Sequence, residues 1–505
     1  MLFRIGNLGV PMTRKLTKGL LAVGISFCCL LMGMAATSDT NPAAPTTITF
    51  NKDVLPILQN NCQVCHRAGE VAPMAFGSYQ ETRPWAMAIK SAVLSKKMPP
   101  WFADPRYNHF SNERKLTPQQ IKMLVSWADN GAPEGDAKDR PAPVQFVERW
   151  NIGKPDMVIE MPSAFPVPAE GTVDYQYIVI PGNFKQDTWV TAAEVRPGNR
   201  AVVHHVIAFV RPPGSKWMKD ALPGVPYVPK KEKAEANKAE ANKENPEGQR
   251  QGERPRGGRQ RDGGITDAEN LTGYAPGLQP LVLHDSAKLV KAGSDIVLQL
   301  HYTANGNAGT DKTRIGLVFA KTAPRYRNVS LLAPTRDFAI PPNADNYEVK
   351  SQVQLQETVT LIDMMPHMHF RGKDFIYKIT YPNGETQTLL SVPKYDFNWQ
   401  LGYTLDKPLV IPKGSRIECT AHFDNSPNNA YNPDPTKEVK WGDQTWEEMM
   451  IGWFSVAVDP KTDTAGLVKF EKPGTKTEPN AAEQNAPGTQ SQPSAKAGST
   501  TGSRR

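Results

Sequence analysis

From Pro141 onward, apolar and polar residues alternate with period two, the pattern of strands with one buried face. Residues 175–180, 201–210, 296–302, 353–362, 375–381 and 451–458 read as strands. Turn signals such as Pro197-Gly198-Asn199 and Asn383-Gly384 separate them. About 330 residues of this pattern exceed what one sandwich usually holds, so two are expected in tandem, over residues 141–325 and 326–471. Before them the period changes. Val54, Leu55, Ile57 and Leu58 form one short apolar face, and a stronger helix runs from Pro118 to Asn130. Thr117 is its N-cap, Pro118 takes the first helical position and Gln120 completes a capping box. Ile121, Leu124, Val125 and Ala128 share its apolar face, and Gly131 ends it. The expected architecture is multidomain: an N-terminal all-α domain over residues 48–140, then two all-β, jelly-roll-like sandwiches.

Other segments have no core to bury. Residues 229–264 lack any aromatic residue and carry the near-repeat beginning at Lys233, so they read as a disordered insertion in the first sandwich. Residues 37–47 read as a linker and 472–505 as a disordered tail. The chain has 59 Lys+Arg against 51 Asp+Glu. The excess is concentrated in residues 1–36, 228–264 and 471–505, leaving no basic patch on the folded body, and no nucleic-acid partner is expected. Lys15 and Lys18 precede an apolar run from Leu20 to Met34 that ends in Ala35 and Ala36, the pattern of a signal peptide over residues 1–36. The run is too short for a stable membrane span. Export to the periplasm or extracellular space is therefore expected.

Of five Cys, Cys28 and Cys29 fall in the signal, and Cys419 lies in an apolar strand-like run. Cys62 and Cys65 form Cys62-Gln63-Val64-Cys65-His66, the C-x-x-C-H pattern of covalent c-type haem attachment. Two thiols bind the porphyrin edge and His66 supplies an imidazole to the iron. A redox Cys pair or half a zinc site are the competing readings, but no second Cys pair completes a zinc site. A thioether or another His should be the sixth ligand. Met98, in Met98-Pro99-Pro100-Trp101, is the first candidate; Met74, Met87 and His109 are rivals. At this point residues 48–135 resemble a class I-like monohaem cytochrome c. In that family a Met beside Pro is the usual distal ligand, which favours Met98.

The remaining His residues have metal-binding spacing. His204-His205 and His301 sit in strand-like runs, and His367-Met368-His369 places two imidazoles on one face of a strand. Adjacent His204 and His205 would face opposite ways on an ideal strand, so both reach one ion only if the backbone twists. Imidazole suits copper or zinc, and an added thioether favours copper.

Residues 145–460 also resemble the copper type II, ascorbate-dependent monooxygenases, the peptidylglycine α-hydroxylating and dopamine β-monooxygenase family. The resemblance implies two sandwiches that each bind one copper across a solvent-filled gap. Its electron-storing copper has three His, matching His204, His205 and His301. Its oxygen-activating copper has His-x-His plus a Met, matching His367, His369 and, in Glu447-Glu448-Met449-Met450, Met449. These last three would be the catalytic set. The family's carboxylate-binding Arg, Asn and Tyr are replaced by Met365, Ile451 and Trp453, so a small apolar or aromatic substrate is expected rather than a peptide C-terminus. The family's disulfides are also missing. The resulting expectation is an exported copper monooxygenase with one covalent haem c and two coppers. It would use O2 and a donor such as ascorbate or a redox protein, with electrons fed through the haem. The alternative is a haem/copper electron-transfer or copper-binding protein without hydroxylase activity.

Overall fold

The computed structural model describes residues 47–68, 70, 72–145, 150–229 and 268–473. The expected signal sequence and nearly all of the expected linker, insertion and tail lie outside the described residues.

The helical region begins with a π-helical turn, Phe50–Val54, that runs into α1 (Leu55–Asn61). Then follow α2 (Tyr79–Thr82), α3 (Ala86–Leu94) and α4 (Pro118–Asp129). The capping box forms as expected. Thr117 Oγ1 accepts from the Gln120 amide at 3.2 Å, and Gln120 Oε1 accepts from the Thr117 amide at 2.8 Å. Phe50, Val54, Leu58, Leu124 and Trp127 are fully buried in one small core.

One stretch leaves this core. Residues 101–112 run along the second sandwich, where the Ser111 amide donates to the Thr404 carbonyl at 2.9 Å and the Asp406 amide to the His109 carbonyl at 3.0 Å. Trp101 and Phe110 meet the Tyr403 ring edge-on at 4.9 and 5.6 Å. The expected 48–140 unit thus contributes a strap to the β region, because its aromatic residues find a larger apolar surface there.

The first half of the β region contains β1 (Met157–Glu160), β2 (Phe165–Val167), β3 (Gln176–Pro181), β4 (Thr188–Arg196), β5 (Val203–Arg211) and β6 (Glu269–Tyr274). It continues with β7 (Leu281–Val282), β8 (Ser286–Val290), β9 (Asp295–Tyr302), β10 (Gly309–Asp311) and β11 (Arg314–Phe319). The second half contains β12 (Tyr326–Thr335), β13 (Ala339–Ile340), β14 (Tyr347–Leu355), β15 (Val359–His367), β16 (Gly372–Thr380) and β17 (Thr386–Val392). It ends with β18 (Tyr403–Ile411), β19 (Arg416–Phe423), β20 (Val439–Lys440), β21 (Met450–Val458) and β22 (Val468–Glu471).

The two halves keep separate cores but share a sheet. A nine-stranded sheet runs β1-β11-β4-β8-β12-β21-β15-β18, with β7 also paired to β4. Its two halves are joined by parallel pairing of Tyr326 and Arg327 with Ser286 and Ala287. The sheet β3-β9-β5-β6 covers the first half, and β17-β16-β19-β14-β22 covers the second. The strand expected over 353–362 is two strands. The chain turns at Gln356–Thr358 and crosses from the five-stranded sheet into the large one. Its alternation continues through this corner because Leu355 and Val359 are both buried.

The four-stranded sheet is buried on both faces. One packs on the first core; the other carries Tyr175, Tyr177, Val179, Phe209 and Val297 against Met449, Ile451 and Trp453 of the second half. β21 is pressed equally hard from its other side. A Cβ added to Gly452 would stand 2.4 Å from Cys419 Sγ and 3.1 Å from a Tyr377 ring carbon. Gly452→Ala is therefore expected to lower stability by about 1–3 kcal/mol through overpacking, measured by denaturant unfolding.

Candidate metal centres

The backbone twist that His204 and His205 require is a β-bulge. Val203 pairs with Tyr302 and His205 with His301, so two steps along β5 match one step along β9 and His204 is the extra residue. The bulge turns both imidazoles to one side, with His204 Nδ1 3.1 Å from His205 Nδ1. His301 is the cross-strand partner of His205, and one nitrogen from each of the three rings lies within 4.8 Å of the others. Nδ1 of His301 is buried without a hydrogen-bond partner. Burial pushes the His204 imidazole down to about 4, and burial followed by repulsion from neighbouring His pushes His205 and His301 well below the ordinary value. Three neutral rings with converging nitrogens and an orphaned lone pair fit a soft or borderline metal cation.

The second set is held by different means. His367 ends β15, and its ring lies 5.3 Å from that of His369, nearly perpendicular to it. His367 Nδ1 donates to Gln400 Oε1 at 3.0 Å and His369 Nδ1 to the Glu447 carbonyl at 3.2 Å. Both bonds fix the tautomer and leave Nε2 for a ligand. His369 Nε2 is buried and has no partner. Burial lowers both imidazoles, His369 to about 3.

The two methionines differ in their surroundings. Met365 pairs with Trp453 and His367 with Ile451, where the pairing of β15 with β21 ends, so Met449 and His369 both lie just beyond it. Met449 packs with Ile451 and Trp453 on the face between the halves, whereas Met450 is wholly inside the second core. Glu448, fully buried, braces this corner. Its carboxylate accepts from the His369 amide at 2.9 Å and the Arg371 amide at 2.7 Å. Burial pushes the Glu448 carboxyl up to about 8 against the pull of those amides and the Arg371 guanidinium.

The two sets are close neighbours. Phe397 stacks on His204 at 4.9 Å and meets His369 edge-on at 6.2 Å, so an aromatic ring stands where the family resemblance implied solvent. A cavity of about 230 Å³ opens beside them, lined by His205 and His367 together with Trp101, Tyr274, Met365 and Trp453. Lys288 and Asp363 line its polar part, where Lys288 Nζ donates to Ser330 Oγ at 2.8 Å. Gln400 and Phe397 could not be picked out from the sequence. They lie on an irregular loop some thirty residues beyond the His-x-His, with no spacing that marks them.

In the C-x-x-C-H segment, the His66 amide donates to the Cys62 carbonyl at 2.8 Å, closing a tight turn. His66 Nδ1 donates to the Met74 carbonyl at 3.2 Å and its ring stacks on Phe76 at 4.4 Å, leaving Nε2 available. Burial pushes the Cys62 thiol up to about 12 and raises Cys65 as well. Met98 is half-buried after α3 and its bond to Pro99 is cis. Among its rivals, Met87 is 61% exposed and His109 lies exposed on the strap. Met74 packs against the helical core, its carbonyl holding His66.

Gln400→Leu is expected to weaken metal binding at His367 and His369 by roughly 10–100-fold, as loss of an orienting hydrogen bond does. The three-His set should keep its affinity, and competition titration with a chromophoric chelator separates the two.

The chain matches no protein-family model and no curated protein. Among solved structures it is similar to that of the infectious bursal disease virus Gx strain, at 10% identity and a TM-score of 0.16, over 63% of this chain and 77% of that one. It is also similar to the VP2 subviral particle of the same virus, at 11% identity and a TM-score of 0.17, over 62% and 73%. Similarity at this level does not amount to a shared fold.

Proposed function

We propose that this chain is an exported copper-dependent monooxygenase of the peptidylglycine α-hydroxylating and dopamine β-monooxygenase type, supplied with electrons through a fused c-type haem. The observation that carries the reading is the convergence of three imidazoles close to a second pair, each set with one orphaned buried nitrogen and one ring lining the same cavity. His204, His205 and His301 would hold one copper; His367, His369 and Met449 would hold the other. Cys62 and Cys65 would carry the haem between His66 and Met98. When bound, these groups would supply one-electron storage and reduction of O2.

The overall reaction, R–H + O2 + 2 e⁻ + 2 H⁺ → R–OH + H2O, needs two electrons from a donor such as ascorbate or a redox protein. The protein's own part is positional. Gln400 and the Glu447 carbonyl hold the Nδ1 protons so that both Nε2 atoms face inward. Glu448 pins the backbone that carries His369. Met365 and Trp453 give the cavity an apolar wall where the resembled family has carboxylate-binding residues. That wall favours a small apolar or aromatic substrate over a peptide C-terminus.

The same replacements favour a second reading, a haem/copper electron carrier that does not hydroxylate. Copper content and kinetics separate the two. The enzyme reading expects two coppers per haem, one of them lost in Met449→Ala. It also expects the reduced protein's haem to reoxidise faster with copper and O2 than without copper, in stopped-flow absorbance. Reoxidation that ignores copper removes the haem's feeding role, and one copper or none supports the carrier.

A further inference from the structure

The haem motif is fixed against the first sandwich by an unusual group of side chains. Arg200, four residues before His204, forms an ion pair with Glu70 of the haem-motif loop; their side chains are only 14% and 12% exposed. Glu70 also pairs with Arg67 of its own loop at 2.9 Å. The Arg200 guanidinium lies over the Tyr274 ring at 5.5 Å from its centre. The Tyr274 hydroxyl is buried and has no hydrogen-bond partner, which is costly unless another group meets it there. Arg67, Arg114 and Arg200 are all near enough to Cys65 to pull its thiol down, against burial. Tyr274 and Arg114 in turn line the cavity that His205 and His367 share. Glu70 is thus the carboxylate that both Arg67 and Arg200 use, in a desolvated corner beside the thiol that would join the haem.

We propose that the haem site is completed by the first sandwich, with Arg200 and the Tyr274 hydroxyl binding a carboxylate at the haem rim at the mouth of the His-lined cavity. This rests on the haem reading above and adds a wall that the helical region does not supply. Haem carries two carboxylates, and around Cys65 the three guanidiniums of Arg67, Arg114 and Arg200 outnumber the one Glu70 carboxylate paired with them. A guanidinium takes such a group strongly, and the phenol provides a second donor. Tyr274 also pairs with Val206 on β5, next to His205, so the same wall joins the haem rim to the three-His set.

The test measures covalent haem content by the alkaline pyridine spectrum and the haem midpoint potential by spectroelectrochemistry, on the full copper-free chain. A cation or hydrogen-bond donor on the haem carboxylate favours the reduced state. Arg200→Gln and Tyr274→Phe should therefore lower the potential at unchanged haem content, and Arg200→Lys should restore most of the loss. Glu70→Gln removes a negative charge and should move it the opposite way. A guanidinium on the haem carboxylate holds that carboxylate ionised, so Arg200→Gln should bring its titration into the pH dependence of the potential. If Arg200 serves only to latch Glu70, the pH profile stays that of the wild type and the proposal fails. An unmoved potential in Tyr274→Phe removes that residue's part. A wild-type chain without covalent haem overturns both this inference and the haem reading, which distinguishes the two failures.

Discussion

The double burial of the β3-β9-β5-β6 sheet is the constraint on which the rest depends. Tyr175, Tyr177, Val179, Phe209 and Val297 have no solvent-facing side, because Met449, Ile451 and Trp453 close over them. Each large apolar side chain so buried contributes roughly 1.5–3 kcal/mol, enough to hold two sandwiches face to face beside the sheet they share. The polar residues that this seam encloses lose water. For imidazoles, that loss favours the neutral, ligating form, which is why both His sets emerge unprotonated along it.

Within the seam, donor geometry is set by small local devices. A single inserted residue in β5 brings neighbouring imidazoles to one side, which regular pleating forbids. His367 ends β15 and His369 lies just beyond it, so strand pleating does not set that pair. Their tautomers are fixed instead by an amide oxygen and a backbone carbonyl. The buried Glu448 precedes Met449 in sequence and accepts from the His369 and Arg371 amides, so one carboxylate fixes the backbone just beyond β15.

The helical region is anchored to both halves, which brings the Cys62–His66 segment near this seam. Its strap from Trp101 to Asn112 lies along β18 of the second half, and Glu70 reaches Arg200 of the first. Trp101 contacts Tyr403 and also lines the cavity. A region that could have hung on a linker is instead packed against the wall of the candidate metal site.

Much of this was legible locally. The α4 boundaries, with Thr117 and Gln120, follow from capping rules that need only neighbours, and the main strands follow from alternation. The Cys62–His66 motif and the choice of His pairs were readable because both are matters of short spacing. The preference for Met449 over Met450 followed from the family resemblance; the structure adds that the two pack into different cores. Tertiary structure decided what depends on partners far apart in the chain. Alternation could not reveal the corner at 356–358, because a strand changing sheets keeps its period while both flanking residues stay buried. Nor could it show that the halves share a sheet, that Phe397 separates the His sets, or that Gln400 and Arg200 belong to the sites. Spacing along a chain constrains which side chains share a face; which faces meet is decided only when apolar surfaces distant in sequence bury one another.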